Sequence, residues 1–186
     1  MKYISIGAIL NEGTEHILDV THGGHQFRLT GEKAEVWLRG RLGFAEVFNP
    51  MHLNLLEQLA KMGLAIKCDG SKTEEFRALT KCTIVPAECK HPYWFLSADE
   101  KTVLQWLRNA GLVLSMAELV YLIDRNVPFE ETLLGSGNAQ ALVERIYTKD
   151  TVYNNILENQ MERACARNRV EKAILGLLRK KRIVLL

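Results

Sequence analysis

Apolar and polar residues alternate on both sides of the sequence HGGH, residues 22–25, and this pattern predicts a β-hairpin. Gly23 and Gly24 would be the two central residues of the turn, because the positive φ angles required there cost glycine little. In the resulting register each apolar residue faces an apolar residue on the other strand, and the acidic residue faces a basic one. It pairs His22 with His25, Val20 with Phe27, Asp19 with Arg28 and Leu18 with Leu29.

The segments around this hairpin predict further strands and helices in the first half. Residues 3–10 are rich in β-formers and predict a strand, so the chain would open with three strands. A helix is expected from a Thr30 cap to Gly43, and another over residues 50–62 after Asn49-Pro50. Two strands, at 65–69 and 77–87, would then form a β-wing around a polar turn.

The second half contains two S-x-x-E patterns, in which the serine and the glutamate cap a helix start reciprocally. They are Ser97 with Glu100 and Ser115 with Glu118, and only the sequence GLVL lies between Ala110 and Ser115. This is the spacing of a helix-turn-helix. The remaining apolar stripes predict helices at 116–125, 138–147, 152–167 and 170–181, and a terminal strand at 182–186.

The two halves also share a short sequence. LTGEKAEVWLRGR from Leu29 and LSADEKTVLQWLRNAG from Leu96 have Glu-Lys and Trp-Leu-Arg in common, and Trp37 matches Trp106. We therefore expect two domains, over residues 1–90 and 91–186, and an internal duplication is one explanation of the match.

The order of elements, with the Ser115-capped helix and the two Trp-Leu-Arg copies, resembles the winged helix-turn-helix superfamily. The resemblance implies an α+β fold of two winged-helix-like units, the second mainly helical. It also implies DNA binding and transcription regulation, with one helix in the major groove and the wing on the backbone. Helices 50–62 and 138–147 are the candidate reading helices, and helix 116–125 would support the second.

Residues 15–66 are also similar to the small winged-helix peptide-recognition domains associated with peptide-modifying enzymes. Those domains hold a peptide against a strand edge. This second resemblance implies a protein or peptide adaptor that does not bind nucleic acid.

Composition excludes several classes of protein. Apolar residues make up 47% and charged residues 25% of the 186 positions, which is ordinary for a globular protein. No apolar run reaches the ~18 residues that cross a bilayer, and the N-terminus lacks the pattern of a signal peptide. We expect a cytoplasmic protein without a membrane partner, whose four cysteines are free thiols.

The net charge of +2 is unevenly distributed. From Arg163 to the end there are eight cations and one acid, a net +7, which leaves −5 for the rest of the chain. A basic segment on an acidic body predicts where a polyanion binds, although a merely solvated face is the alternative explanation. The two candidate reading helices are poor in cations. The predicted nucleic-acid contacts are Asn138, Gln140, Arg145, Arg163, Arg167, Arg169, Lys172, Arg179, Lys180 and Lys181.

The sequence offers little for catalysis or for a metal. It has no nucleophile elbow, no phosphate-binding loop and no zinc-binding helix signature, and the spacing of Cys82, Cys89 and His91 is not standard for a knuckle. Two histidines at a hairpin tip are too few ligands for a structural zinc ion. We therefore expect no enzyme activity, no cofactor and no metal. A homodimer formed by the helical segment 152–167 is a further possibility.

Overall fold

The computed structural model describes residues 1–12, 17–87, 95–129, 139–147 and 154–186 of the chain. Within these residues the fold is α+β, with eight helices and three small antiparallel sheets. The elements are β1 Lys2–Ser5, β2 Ala8–Glu12, β3 Ile17–His22, β4 His25–Thr30, α1 Glu32–Arg41, β5 Ala45–Glu46, α2 Pro50–Lys61, β6 Ala65–Cys68, α3 Lys72–Thr80, β7 Ile84–Pro86, α4 Ala98–Asn109, α5 Met116–Asp124, α6 Ala139–Ile146, α7 Asn154–Met161, α8 Arg167–Arg179 and β8 Ile183–Leu185.

The hairpin predicted around HGGH is confirmed. Strands β3 and β4 pair in the expected register, with His22 opposite His25 and Asp19 opposite Arg28. Both turn glycines have positive φ. The predicted apolar face is the buried one, since Leu18, Val20 and Leu29 are covered. Strand β2 completes this sheet in the order β2-β3-β4.

The single strand predicted over residues 3–10 is wrong, because the chain turns at Gly7 and enters a second sheet. Strand β1 lies at the centre of the sheet β5-β1-β6, whereas β2 joins the hairpin. Gly7 has a φ of 116°, and a Cβ there would lie 2.7 Å from Val20 Cγ1. Only glycine fits this conformation and this close approach to β3.

The predicted wing over residues 65–87 is also wrong. Strand β6 pairs with β1 and strand β7 pairs with β8, so the two strands belong to different sheets. The segment between them, expected as a turn and the start of a strand, forms helix α3. The Ser71 side chain caps this helix by accepting from the Glu74 N–H, and Phe76 of the helix is buried.

The other helices are found close to their predicted positions, with two corrections. Helix α1 begins after Gly31 without a side-chain cap, because Thr30 still belongs to β4. The helix predicted over 152–167 ends at Met161 in its described part, since residues 162–166 form a turn whose Ala166 N–H donates to Asp124 Oδ1. Helix α8 therefore begins three residues earlier than expected.

Both predicted capping boxes are confirmed, at the starts of the two helices that the short connection after Ala110 separates. In α4 the Ser97 side chain and Glu100 cap each other's backbone, and in α5 Ser115 and Glu118 do the same. The terminal strand is confirmed as β8, which pairs with β7 from about a hundred residues earlier in the sequence.

Two apolar cores support these elements. Trp37 of α1 lies fully buried in the first core, and Trp106 of α4 is buried in the second. Strand β1 contributes to both cores, since Tyr3 packs in the first core and Ile4 in the second. The apolar residues of α3 and β7 pack in the second core as well. No helix in the described ranges is long and apolar enough to cross a membrane.

Candidate nucleic-acid interface

Helix α8 displays the basic residues predicted near the C-terminus. Its apolar stripe, Val170 to Leu178, is buried against α4 and α5, so the opposite face is exposed. Lys172 and Arg179 lie on this exposed face seven residues apart, which is two helical turns or about 10 Å along the axis. The helix thus presents two cations in one line.

Two adjoining cavities flank this line and share Lys172 and Arg179. The first, of about 350 Å³, lies towards α3, and the second, of about 500 Å³, lies towards α4. We call the two together the α8 groove. Its charged lining consists of six cations and three acids, a formal net charge of +3. These are Lys72, Arg167, Arg169, Lys172, Arg179 and Lys180, with Asp99, Glu100 and Glu171.

Ion pairs neutralise the side of the groove next to α4. Arg169 Nη2 lies 2.6 Å from Asp99 Oδ1, and Lys180 Nζ lies 2.6 Å from Glu100 Oε2. Burial alone would raise the pKa of Glu100, but hydrogen bonds from Lys180 and the Ser97 backbone outweigh it and lower the pKa. This carboxylate therefore stays ionised and neutralises the charge of Lys180.

Three cations of α8 on the α3 side of the groove are more available. Lys172 and Arg179 make no ion pair with any residue in the described ranges. Within the described residues the Arg167 guanidinium donates to neutral groups only, the Glu162 carbonyl at 2.9 Å and the Asn168 side-chain oxygen, and it lies over the Phe76 ring at 6.0 Å. The guanidinium of Arg167 is therefore fixed in position, but no carboxylate in the described residues neutralises it.

Two buried glutamates share Lys72, which lines the first cavity. Lys72 Nζ lies 2.6 Å from Glu75 Oε2 and 3.5 Å from Glu171 Oε1. Lys2 of β1 also donates to Glu75, at 2.6 Å. Burial would raise the pKa of Glu75, but the two lysines lower it. Burial raises the pKa of Glu171, Glu75 adds to this, and Lys72 and Arg167 only partly oppose it.

The raised pKa of Glu171 predicts a pH-dependent effect of Glu171→Gln on stability. Between the ordinary and the raised pKa the native state binds more protons at Glu171 than the unfolded state, so this group lowers stability as pH rises. The free energy of unfolding of the variant, relative to that of the wild type, should therefore be larger at about pH 7 than at about pH 4. Denaturant unfolding at both pH values measures this, with exposed Glu32→Gln as the control. A difference that does not change with pH would contradict it.

Several predicted contacts lie away from the groove. Arg163 sits in the turn after α7, beside Arg77 and Glu162. Lys181 follows α8 with a φ of 54° and lines a small cavity next to β8. On α6, Gln140 hydrogen bonds to Glu144, and the Arg145 carbonyl accepts from Tyr121 on α5. Asn138 lies outside the described residues.

The structure thus brings together five of the ten predicted contacts and adds a sixth cation. Arg167, Arg169, Lys172, Arg179 and Lys180 line the groove, and Lys72 was missed. It was missed because residues 70–75 were interpreted as a turn. The signal was present, since Ser71 and Glu74 have the same S-x-x-E spacing that identified α4 and α5.

The histidines and cysteines that the structure describes form no recognisable site. Within the described part of the chain, no three His, Cys, Asp or Glu residues are grouped to hold a metal ion. Burial raises the pKa of the Cys82 thiol to about 12, which makes it a poor nucleophile. Cys89 and His91, the other members of the cluster considered from the sequence, lie outside the described residues.

Comparisons with known proteins assign no function to this arrangement. No family model matches the chain, and neither a curated protein nor a solved structure matches it significantly.

Proposed function

We propose that this protein binds duplex DNA through the α8 groove, without catalysing a reaction, and acts as a regulator of transcription. The observation that carries the proposal is the convergence on one concave face of Arg167, Lys172 and Arg179, none of which pairs with a carboxylate in the described residues. Phosphate contacts by lysine and arginine supply most of the affinity of such proteins. Lys172 and Arg179 are the strongest candidates, because no carboxylate in the described residues competes for them.

The finer fold belongs to the same proposal. Helices α4 and α5 would be the first two helices of a winged-helix-like unit, supported by their capping boxes and by the short connection from Ala110 to Ser115, and α6 would be the third. Helix α6 would read the major groove. It exposes Gln140, Glu144 and Arg145 and carries little positive charge, so base contacts would add modest specificity to an affinity that comes from phosphates.

A salt titration tests the proposal. Each neutralised phosphate contributes about −0.9 to the slope of log K against log salt concentration, so three contacts predict a slope of about −2.7. Fluorescence anisotropy with a labelled duplex, from about 50 mM to about 200 mM salt, measures the slope. Absence of binding at the lowest salt concentration would refute the proposal.

A protein-binding function is the second candidate, and the edge of strand β4 favours it. Among the described strands, β4 pairs with β3 alone. His25, Phe27 and Leu29 bond to β3, because the residues flanking a two-residue turn form a hydrogen-bonded pair and every second pair follows. The backbone groups of Gln26, Arg28 and Thr30 then face outward, where an extended peptide can add as a further strand.

A proline substitution separates this candidate from DNA binding. Arg28→Pro removes an outward N–H of β4 while leaving its bonds to β3, so strand addition should be lost and the DNA salt slope kept. Selection from a library of extended peptides, repeated with Arg28→Pro and with Arg28→Ala as the side-chain control, measures this. If no peptide is enriched, or if Arg28→Pro binds the selected peptides as well as the wild type, strand addition at β4 is excluded.

A further inference from the structure

The first cavity of the α8 groove contains a group that DNA binding alone does not explain. Its cations come from two elements, Lys72 from α3 and Arg167, Lys172 and Arg179 from α8. Its volume of about 350 Å³ lies within the range of small-ligand pockets, ~300–1,000 Å³. A surface that only follows a phosphate backbone needs cations but no such concavity.

Glu171 is the unexplained group. It is 4% exposed and lies among these cations, yet its Oε2 atom is buried and accepts no hydrogen bond from the described residues. Lys72 lies 3.5 Å from the other oxygen, Oε1, and is held more closely by Glu75 at 2.6 Å. A buried carboxyl oxygen without a donor is costly, and such atoms in native proteins require an explanation. Glu171 lines the cavity, so a rotation of its carboxyl group would bring Oε2 to a group bound there, and a hydrogen on that group would supply the missing donor.

We propose that the first cavity binds the terminal phosphate of a phosphate monoester, with Arg167, Lys172 and Arg179 around its charged oxygens and Glu171 sharing its proton. The proposal rests on the proposed function in that both use the same cations, and it names the chemical group that the cavity selects. A phosphate monoester carries a charge of about −1.5 to −2 near pH 7 and loses its last proton with a pKa of about 6. It therefore offers both the negative charge that the cations require and the hydrogen that Glu171 lacks.

Other oxyanions offer only one of these properties. A phosphodiester within a nucleic-acid strand and a sulfate ion carry negative charge but no proton near neutral pH. With either of them inside the cavity, Glu171 would have to take up a proton or remain an uncompensated negative charge against the ligand. The phosphodiesters of a duplex would therefore contact Lys172 and Arg179 on their exposed face and leave the cavity to a terminal phosphate. The cavity should therefore prefer phosphate over sulfate, although the two ions are similar in size and shape.

Calorimetric titration with inorganic phosphate and with sulfate, near pH 7, tests this preference. The wild type should bind phosphate about tenfold more tightly than sulfate, the factor that one hydrogen bond to a charged group provides. Glu171→Gln should remove the preference, because its amide group can donate to either ion. Arg179→Ala should weaken the binding of both ions, and exposed Lys101→Ala on α4 should change neither.

Equal affinity of the wild type for phosphate and sulfate, or no detectable binding of either ion, would overturn the proposal. A preference that survives in Glu171→Gln would overturn it as well. Glu171→Gln is expected to fold, since it relieves a buried charge, and circular dichroism confirms this before the titrations.

A second titration identifies the source of the monoester and separates the two proposals. The probes are one duplex with 5′-phosphorylated ends, the same duplex with 5′-hydroxyl ends, and a nucleoside monophosphate. Tighter binding of the phosphorylated duplex assigns the cavity to a nucleic-acid end, and binding of the mononucleotide without this gain assigns it to a small phosphorylated molecule. Equal binding of both duplexes without binding of the mononucleotide refutes the monoester site and leaves DNA binding standing. Binding of the mononucleotide alone refutes DNA binding.

Discussion

The double substitution Lys172→Ala/Arg179→Ala should weaken binding to duplex DNA by about sixtyfold at about 0.1 M salt. At this concentration the release of counterions contributes about 0.9 log units of affinity for each phosphate contact, so the loss of two contacts costs about 1.8 log units. The slope of log K against log salt concentration should become shallower by the same number, about 1.8. Both effects follow from one cause and are measured in one anisotropy series.

The matched control removes two exposed lysines from other faces of the protein, Lys61→Ala/Lys101→Ala. Lys61 lies in the last turn of α2 and Lys101 lies on the exposed side of α4. The control makes the same change in net charge, so it should leave the slope unchanged if the α8 groove makes the contacts. An equal loss of affinity in both double variants would show that only the overall charge matters. A larger loss of affinity in the control variant would place the interface on α2 or α4 instead.

The parts of the fold that could be predicted are those encoded over short distances. The hairpin register depends on Gly23 and Gly24 and on the residues beside them, and the starts of α4 and α5 depend on serine and glutamate three positions apart. Each of these signals is a local backbone requirement that few residue types satisfy. They could therefore be recognised without knowledge of the rest of the chain.

The errors arose where long-range packing decided the structure. Residues 77–87 are rich in apolar residues and predict a strand, but Ala78 and Leu79 belong to a helix that packs on the second core. Strand β7 finds its partner β8 almost a hundred residues later, and no local pattern indicates that pairing. The wing was wrong because both of its strands were expected to pair with each other.

The same distinction explains why only part of the groove could be predicted. A count of charges located the basic residues of α8, since they are close together in the sequence. Whether each of them is neutralised depends on acidic residues that are distant in the sequence. Arg169 pairs with Asp99, 70 residues earlier, and Lys180 pairs with Glu100, 80 residues earlier. Such contacts exist only once α4 has packed on α8.

The substitution Gly40→Ala should destabilise the protein by about 2 kcal/mol, although alanine favours a helix over glycine by ~1 kcal/mol. Gly40 lies in the last turn of α1, where the helix crosses strand β1. A Cβ there would lie 2.6 Å from Tyr3 Cε2 and 3.0 Å from the Ser5 backbone nitrogen, and closer still to Ser5 Oγ. Tyr3 is fully buried and its hydroxyl donates to the Val36 carbonyl, so its ring has little freedom to move.

Strand β1 cannot move away from this contact, because it is the central strand of its sheet and pairs with β5 and β6. The helix would have to shift instead, at the expense of the buried contacts of Trp37, whose indole N–H donates to the Ile6 carbonyl. Urea unfolding of Gly40→Ala measures the loss. The neighbouring substitution Arg39→Ala, on the exposed side of α1, is the control and should change stability by no more than ~0.5 kcal/mol. If Gly40→Ala were as stable as the wild type, α1 would not approach β1 this closely, and the packing that joins the two sheets to the first core would be different from that described.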